Sequence, residues 1–200
     1  MENYLFFKCS FLSNLFPSEH SIDKYLDKNG IWYTLNEPRI FPTVHHSFAY
    51  LKALMFEDNF IATQMYENEL SFSQIDIMSR HINNVDDKIW FIFRQDVMKY
   101  ICSQKFLNKQ MKQELNETFP KILVNILEID NFWGIGYDNQ ENAIENIDNW
   151  GDNVLGQILM SIRIYNEECE HDVTLQPFED EEIDPGYSSN FITSPSNIIF

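Results

Sequence analysis

The first residue in this sequence with clear chemical potential is a lysine set in an apolar run. Lys52 lies within Phe48-Ala49-Tyr50-Leu51-Lys52-Ala53-Leu54-Met55-Phe56. There it either snorkels its ammonium to solvent or is partly desolvated, and desolvation lowers the pKa and makes a nucleophilic amine accessible. His45 precedes it by almost two helical turns, so His45, Ala49 and Lys52 share one face. The adjacent His46 points to a different side of the helix, and no third His or Cys lies nearby, so the pair does not predict a metal site.

A second feature lies C-terminal. Asp130 is followed by Trp133-Gly134-Ile135-Gly136 and then by Gly151-Asp152-Asn153-Val154-Leu155-Gly156, and four of the chain's six glycines fall in this stretch. Glycine is favoured where backbone takes positive φ or approaches another group closely, so the cluster reads either as a ligand-facing loop or as a pair of tight turns. The helix predicted from about Asn153 buries Leu155, Ile158, Leu159 and Ile162 at helical spacing, and its N-terminus is a natural place for a phosphate or a sugar hydroxyl.

Several elements must position these groups. Asn3–Lys8 predicts a strand, followed by a turn-rich loop from Phe11 to Pro17 with aromatic anchors. Residues 18–42 read as a hairpin or insertion around Lys28-Asn29-Gly30, with Ile31–Thr34 as a strand. Thr43 caps the helix that carries Lys52, which runs to about Phe56. Further helices are predicted at about 60–67, 72–80, 86–104 and 108–117, the fourth capped by Asp86 and burying Ile89, Ile92, Phe93, Val97 and Ile101. Pro120 ends the helical block, and Lys121–Leu127 predicts a strand that delivers Asp130 and the glycine cluster.

Composition bounds the class. Two hundred residues with 44% hydrophobic content suffice for one well-filled core, so one domain over residues 1–165 is expected, followed by an acidic, flexible tail over 166–200. No apolar run approaches the roughly 20 residues that span a bilayer, and Met1–Tyr4 lacks the basic flank of a signal peptide; the expectation is a soluble cytoplasmic protein without a membrane partner. Cys9, Cys102 and Cys169 are widely separated and read as free thiols. The net charge of −17 is uneven: residues 164–200 carry nine acids and no base, leaving a balance of −8 before them. That charge disfavours a duplex-wide nucleic-acid surface but leaves room for a pocket that takes one nucleotide.

Taken together, the segments form a more specific pattern. Phe11-x-Ser13-Asn14-x-Phe16-Pro17, Phe41-Pro42-Thr43-Val44-His45-His46-Ser47-Phe48-x-x-x-Lys52-Ala53, Trp90 with Val97-Met98, Lys105-Phe106, Asn116-x-Thr118, Asp130-x-x-Trp133-Gly134-x-Gly136 and Gly151-x-Asn153-x-Leu155-Gly156-x-x-Leu159-Met160-x-x-Arg163 resemble, in order, the NADAR or YbiA-like family over about residues 5–165. The resemblance implies a single compact, helix-rich α+β domain with a small sheet. It also implies a nucleotide-like small-molecule partner or an ADP-ribosylated base. Family members are N-glycosidases that act on riboflavin-pathway intermediates or remove ADP-ribose from modified guanine. Lys52 aligns with the family lysine for which a Schiff-base role at the ribose anomeric carbon has been proposed, and Asp130 would stabilise positive charge or move protons. Trp90 and Trp133 would stack on a base or line the pocket. Ser13, Asn14 and Asn153 would bind hydroxyls or phosphates, with Phe16, His46, Gly134 and Gly136 as further ligand-binding positions. No cofactor or metal is expected.

The chain departs from the family at two positions. His45 stands where the family motif usually reads Glu, and Asn125 stands at a strand position that commonly carries Glu. His45 can substitute as a base near neutral pH. Two functions are therefore expected from the resemblance: an N-glycosidase using Lys52, Asp130 and His45, or a catalytically impaired module that binds or sequesters an NAD-derived nucleotide. A protein partner contacting the acidic tail is a third reading.

Overall fold

The computed structural model describes residues 3–172, with side chains through Arg163. Strand β1 (Tyr4–Phe7) is followed by the hairpin β2 (His20–Leu26) and β3 (Trp32–Phe41). Five helices come next: α1 (Val44–Met55), α2 (Asn59–Glu67), α3 (Phe72–Arg80), α4 (Asp87–Lys105) and α5 (Lys109–Asn116). Strand β4 (Ile122–Asn125), the short helix α6 (Gln140–Glu145), a 3-10 turn (Ile147–Asn149) and α7 (Val154–Asp172) complete the order. β1 pairs parallel with β4, Phe6 opposite Val124, and β2 pairs antiparallel with β3, so the sheet content is two separate pairs.

Local chemistry sets the boundaries. Thr43 Oγ1 accepts from the His46 N–H at the start of α1, Asp58 from Ile61 at α2, Asp86 from Lys88 and Ile89 at α4, and Asn108 from Met111 at α5. At α3 both the N–H and the Oγ of Ser71 donate to Gln74 Oε1. Gly30 closes the hairpin at φ +81°, a conformation that L side chains rarely adopt.

Helix α1 lies at the centre, in contact with α2, α3, α4, β2 and β3. Leu51 and Ala53 on α1, Ile101 on α4, Leu123 on β4 and Leu159 on α7 are fully buried in one core. The expected stripe on α4 needs one correction: Ile92 is 64% exposed. The buried arc of α4 runs through Val97, Met98, Ile101, Cys102 and Lys105, and at 100° per residue Ile92 falls on the opposite side. Leu155, Ile158, Leu159 and Ile162 of α7 are buried as their spacing predicted. Helices and strands thus form a single helix-rich α+β domain. Helix α7 continues to Asp172, across the 165/166 boundary expected from charge, and the remainder of the acidic tail lies outside the described residues. Among the described residues, no helix is long and apolar enough to cross a membrane.

Candidate functional site

A cleft of about 570 Å³ opens beside α1. The face predicted from spacing lines it: His45, Ala49 and Lys52, with Phe48. Helix α3 adds Phe72, Asp76 and Ser79, and α4 adds Trp90 and Met98. The loop after β1 brings Ser13, Asn14 and Leu15, and the segment from the end of β4 brings Asn125, Asp130 and Trp133. Lys52, His45, Asp130, Ser13, Asn14, Trp90 and Trp133 therefore share one cavity, whereas Phe16, His46, Gly134, Gly136 and Asn153 do not line it.

Lys52 is half-buried, its Nζ 5.5 Å from the centre of the Trp90 ring. Burial holds its pKa below the ordinary lysine value, and the Asp87 carboxylate opposes that shift. Phe48 packs on Trp90 and Trp133 with ring centres 5.0 and 5.6 Å apart, so the amine stands against an aromatic wall. His45 stacks on Phe72 at 4.3 Å, and its backbone N–H donates to the Asn14 carbonyl. Burial, reinforced by His46, pushes its pKa down to about 4, against the pull of Asp76. At neutral pH His45 is thus an uncharged imidazole, able to accept a proton but not poised to give one. Its Nε2 is buried and has no hydrogen-bond partner.

His46 faces elsewhere, as expected for a neighbour on the helix, and its surroundings explain its place. Its Nδ1 is 2.7 Å from Thr43 Oγ1, and its Nε2 lies 3.0 Å from the Leu70 carbonyl. A carbonyl only accepts, so the proton is assigned to Nε2, and His46 ties the start of α1 to the segment before α3.

The glycine cluster builds the site from behind. A Cβ on Gly156 would overlap the Leu123 carbonyl and the Asn153 amide, and one on Gly151 would overlap the backbone of Asn131. A Cβ on Gly134 would meet Leu127 Cβ and the Asn125 carbonyl. The close partner at each is the protein's own chain, which is why these glycines stay out of the cleft. Nor is the start of α7 open to an anion: the N–H groups of Asn153, Val154 and Leu155 donate to the carbonyls of Gly134, Phe132 and Trp133. Asn153, at φ +51°, accepts from the Asn125 N–H through Oδ1 and donates to the Leu123 carbonyl through Nδ2, extending β4 by side chain.

Two consequences reach the cleft. Asp130 Oδ1 accepts from the N–H groups of Phe132 and Trp133 at 2.9 and 2.8 Å, which fixes the carboxylate and the indole together. The Asn125 amide donates to the Trp133 carbonyl at 3.1 Å. Arg94 sits with its guanidinium 3.4 Å from the centre of the Phe132 ring; burial lowers its pKa, and the charges of Asp130 and Asp152 oppose that shift.

The loop after β1 is anchored from the core. Lys105 is 1% exposed, and its Nζ donates to the Ser13 carbonyl at 2.9 Å. Burial lowers its pKa to about 8. Cys102, one turn earlier and fully buried, is pushed up to about 12, so it remains a thiol. Phe16 lies against this ammonium, its ring centre 5.8 Å from Nζ, and Leu15 takes the place in the cleft that Phe16 was expected to hold.

Phe72, Asp76 and Ser79 were not singled out from sequence. The available signal was their spacing: they fall on one face of a nine-residue helix that buries only Ile75.

The NADAR domain family model matches residues 6–165. Protein irg-1 of Caenorhabditis elegans is 32% identical over 120 residues, which are 58% of this chain and 56% of the nematode protein. An N-glycosidase of Acanthamoeba polyphaga mimivirus is 33% identical over 121 residues, 58% of this chain and 69% of the viral protein. The chain therefore spans little more than half the length of the nematode relative. The NMR structure of YbiA from Escherichia coli superposes with a TM-score of 0.62 over 89% of this chain and 92% of its own, at 20% identity, which is a likeness of fold.

Proposed function

The chain belongs to the NADAR domain family, and from that premise we propose that it is an N-glycosidase that hydrolyses the bond between a ribose anomeric carbon and a heterocyclic nitrogen, in an ADP-ribosylated or ribosylated base. The observation that carries the proposal is the meeting of Lys52, His45 and Asp130 in one aromatic cleft. The viral relative described as an N-glycosidase supports the reaction class.

Each group has a role its surroundings support. The lowered pKa of Lys52 raises the fraction of free amine. That amine attacks the anomeric carbon; the carbon–nitrogen bond to the base breaks with its electron pair leaving on the base, which takes the proton that the attacking amine loses. The glycosylamine so formed opens to a Schiff base, the ring oxygen taking the second amine proton, and it is this C=N bond that borohydride reduces. Water releases the sugar from Lys52. Asp130, fixed by two backbone N–H groups, stabilises positive charge at the anomeric centre. Trp90 and Trp133 offer faces on which a base stacks. The test is borohydride reduction during turnover of an ADP-ribosylated guanine nucleoside, followed by mass spectrometry. A covalent adduct on Lys52, absent in Lys52→Ala together with turnover, is the expected outcome; no adduct and undiminished turnover in Lys52→Ala would refute the mechanism.

A second reading rests on positions 45 and 125. Neither is a carboxylate, and the Asn125 amide is committed to the Trp133 carbonyl. In that case the cleft retains a nucleotide without cleaving it. Calorimetry with ADP-ribose, with the mixture then inspected for free base by mass spectrometry, separates the two.

A further inference from the structure

His45 and Asp76 come from different helices, α1 and α3, and both face the cleft. Phe72 lies one turn before Asp76 on α3, its ring centre 4.3 Å from that of His45 with the planes tilted by 38°, so the aromatic that packs on the imidazole and the Asp76 carboxylate share one helix face. Asp76 Oδ2 accepts from Arg80 Nη2 at 2.7 Å, which holds the carboxylate in place on α3. The Nε2 of His45 is buried and has no hydrogen-bond partner, so the ring keeps an unsatisfied nitrogen at the cleft wall. We propose that Asp76 is the charge partner of His45 and that the two act as one proton-transfer pair, His45 taking the proton of the water that releases the sugar and Asp76 stabilising the imidazolium so formed.

This rests on the N-glycosidase reading. In the step itself, water oxygen bonds to the anomeric carbon while its proton passes to His45. The bond from that carbon to Lys52 Nζ breaks with its electron pair going to Nζ, and Nζ takes the proton back from the imidazolium. Sugar hydroxyl and free amine result, and His45 returns to its starting form. Asp76 acts through His45 and is a positioning residue.

The electrostatics around His45 agree. On its own helix, His46 disfavours the charged imidazole, and Lys52 adds a positive charge to the same cleft. The loop after β1 contributes Lys8 and Cys9, and the segment after β4 contributes Asp130. From α3 comes Asp76, whose charge favours the protonated ring. An imidazole held near 4 has about the basicity of a free carboxylate. It lacks the carboxylate's negative charge, which Asp76 supplies from the neighbouring helix.

The test compares full-length wild type, Asp76→Asn, Asp76→Glu, His45→Gln and the double variant His45→Gln/Asp76→Asn. With an ADP-ribosylated guanine nucleoside as probe, Asp76→Asn is expected to lower kcat about three- to tenfold, because the imidazolium loses its partner. Asp76→Glu should restore most of the lost rate. In the His45→Gln background, Asp76→Asn should cost less than about twofold, since the route it acts through is gone. An equal cost in both backgrounds would assign Asp76 a merely structural role and overturn the pairing. NMR titration of the His45 ring provides an arm that needs no turnover: its midpoint should fall by about one unit in Asp76→Asn, and an unshifted midpoint overturns the pairing whatever the activity. Absence of turnover in wild type with the midpoint shift intact overturns the N-glycosidase reading and leaves the pairing standing.

Discussion

Replacing Lys105 by Met should change how stability depends on pH, by an amount the structure sets. Lys105 is buried in the core with its Nζ on the Ser13 carbonyl, and burial lowers its pKa from 10.5 to about 8. The charged form is therefore disfavoured in the folded chain relative to the unfolded one. Below pH 8 both states carry the charge and the full penalty applies, about 3 kcal/mol for a gap of about two and a half units. As pH rises from 8 toward 10.5 the folded state sheds its proton first, and the penalty fades. Met removes the penalty but leaves the Ser13 carbonyl without its donor, a loss of about 1–3 kcal/mol. At pH 7 these nearly offset, so Lys105→Met should be as stable as wild type or up to about 2 kcal/mol more stable. By pH 10 wild type should have gained about 2.5 kcal/mol on the variant. The neighbouring groups do not generate this difference: Cys102 titrates near 12 and burial lowers the His20 pKa, so both lie outside the window and both remain in the variant. Urea unfolding of both proteins at pH 7 and pH 10 measures it. A stability difference that is the same at the two pH values would refute the assignment of a buried, charged lysine behind the cleft wall.

Gly156→Ala should cost about 2–4 kcal/mol or prevent folding, because the new Cβ meets the Leu123 carbonyl and the Asn153 amide rather than a flexible side chain; thermal unfolding reads it out. Trp90→Ala should weaken binding of a base-containing ligand about tenfold by calorimetry, the range of one stacking contact, and should also raise the Lys52 pKa by opening its surroundings to water. Lys52-dependent turnover should rise with pH as the amine loses its proton, and in Trp90→Ala that limb should move to higher pH.

Where one residue type carries one local meaning, the sequence was sufficient. Thr43 and Asp86 cap the helices they were expected to cap, and Gly30 closes the expected hairpin. The face His45–Ala49–Lys52 follows from helical geometry alone, and it does line the cleft. The glycine cluster was ambiguous for a physical reason. A missing Cβ announces that something comes close, and only tertiary structure says whether that is a ligand or a carbonyl such as that of Leu123. The start of α7 was misjudged for a related reason: the N–H groups of Asn153, Val154 and Leu155 are spent on carbonyls about twenty residues earlier, a pairing no local pattern reveals. Asp76 escaped notice because α3 is short and polar, and nothing in its own sequence says that its exposed face meets α1.

The same tertiary facts change what the departures at positions 45 and 125 mean. Asn125 cannot supply negative charge, but its amide and N–H join Trp133 and Asn153 to the end of β4. That junction carries the segment whose Asp130 reaches the cleft, so the negative charge arrives from the following loop. His45 likewise carries no charge at neutral pH, while Asp76 brings a carboxylate to the same cavity from α3. Two carboxylates, Asp76 and Asp130, thus line the same cavity as Lys8 and Lys52, beside the aromatic rings of Phe48, Phe72, Trp90 and Trp133. Each acid is held by partners outside the reacting centre, Asp76 by Arg80 and Asp130 by backbone N–H groups. In the proposed reaction, cationic character developing at a sugar carbon would meet fixed negative charge without prior reorganisation, which is the condition for electrostatic stabilisation to lower a barrier. The loss of an acid at one position is decisive only if no other element delivers a charge to the same space, and here α3 and the loop after β4 both do.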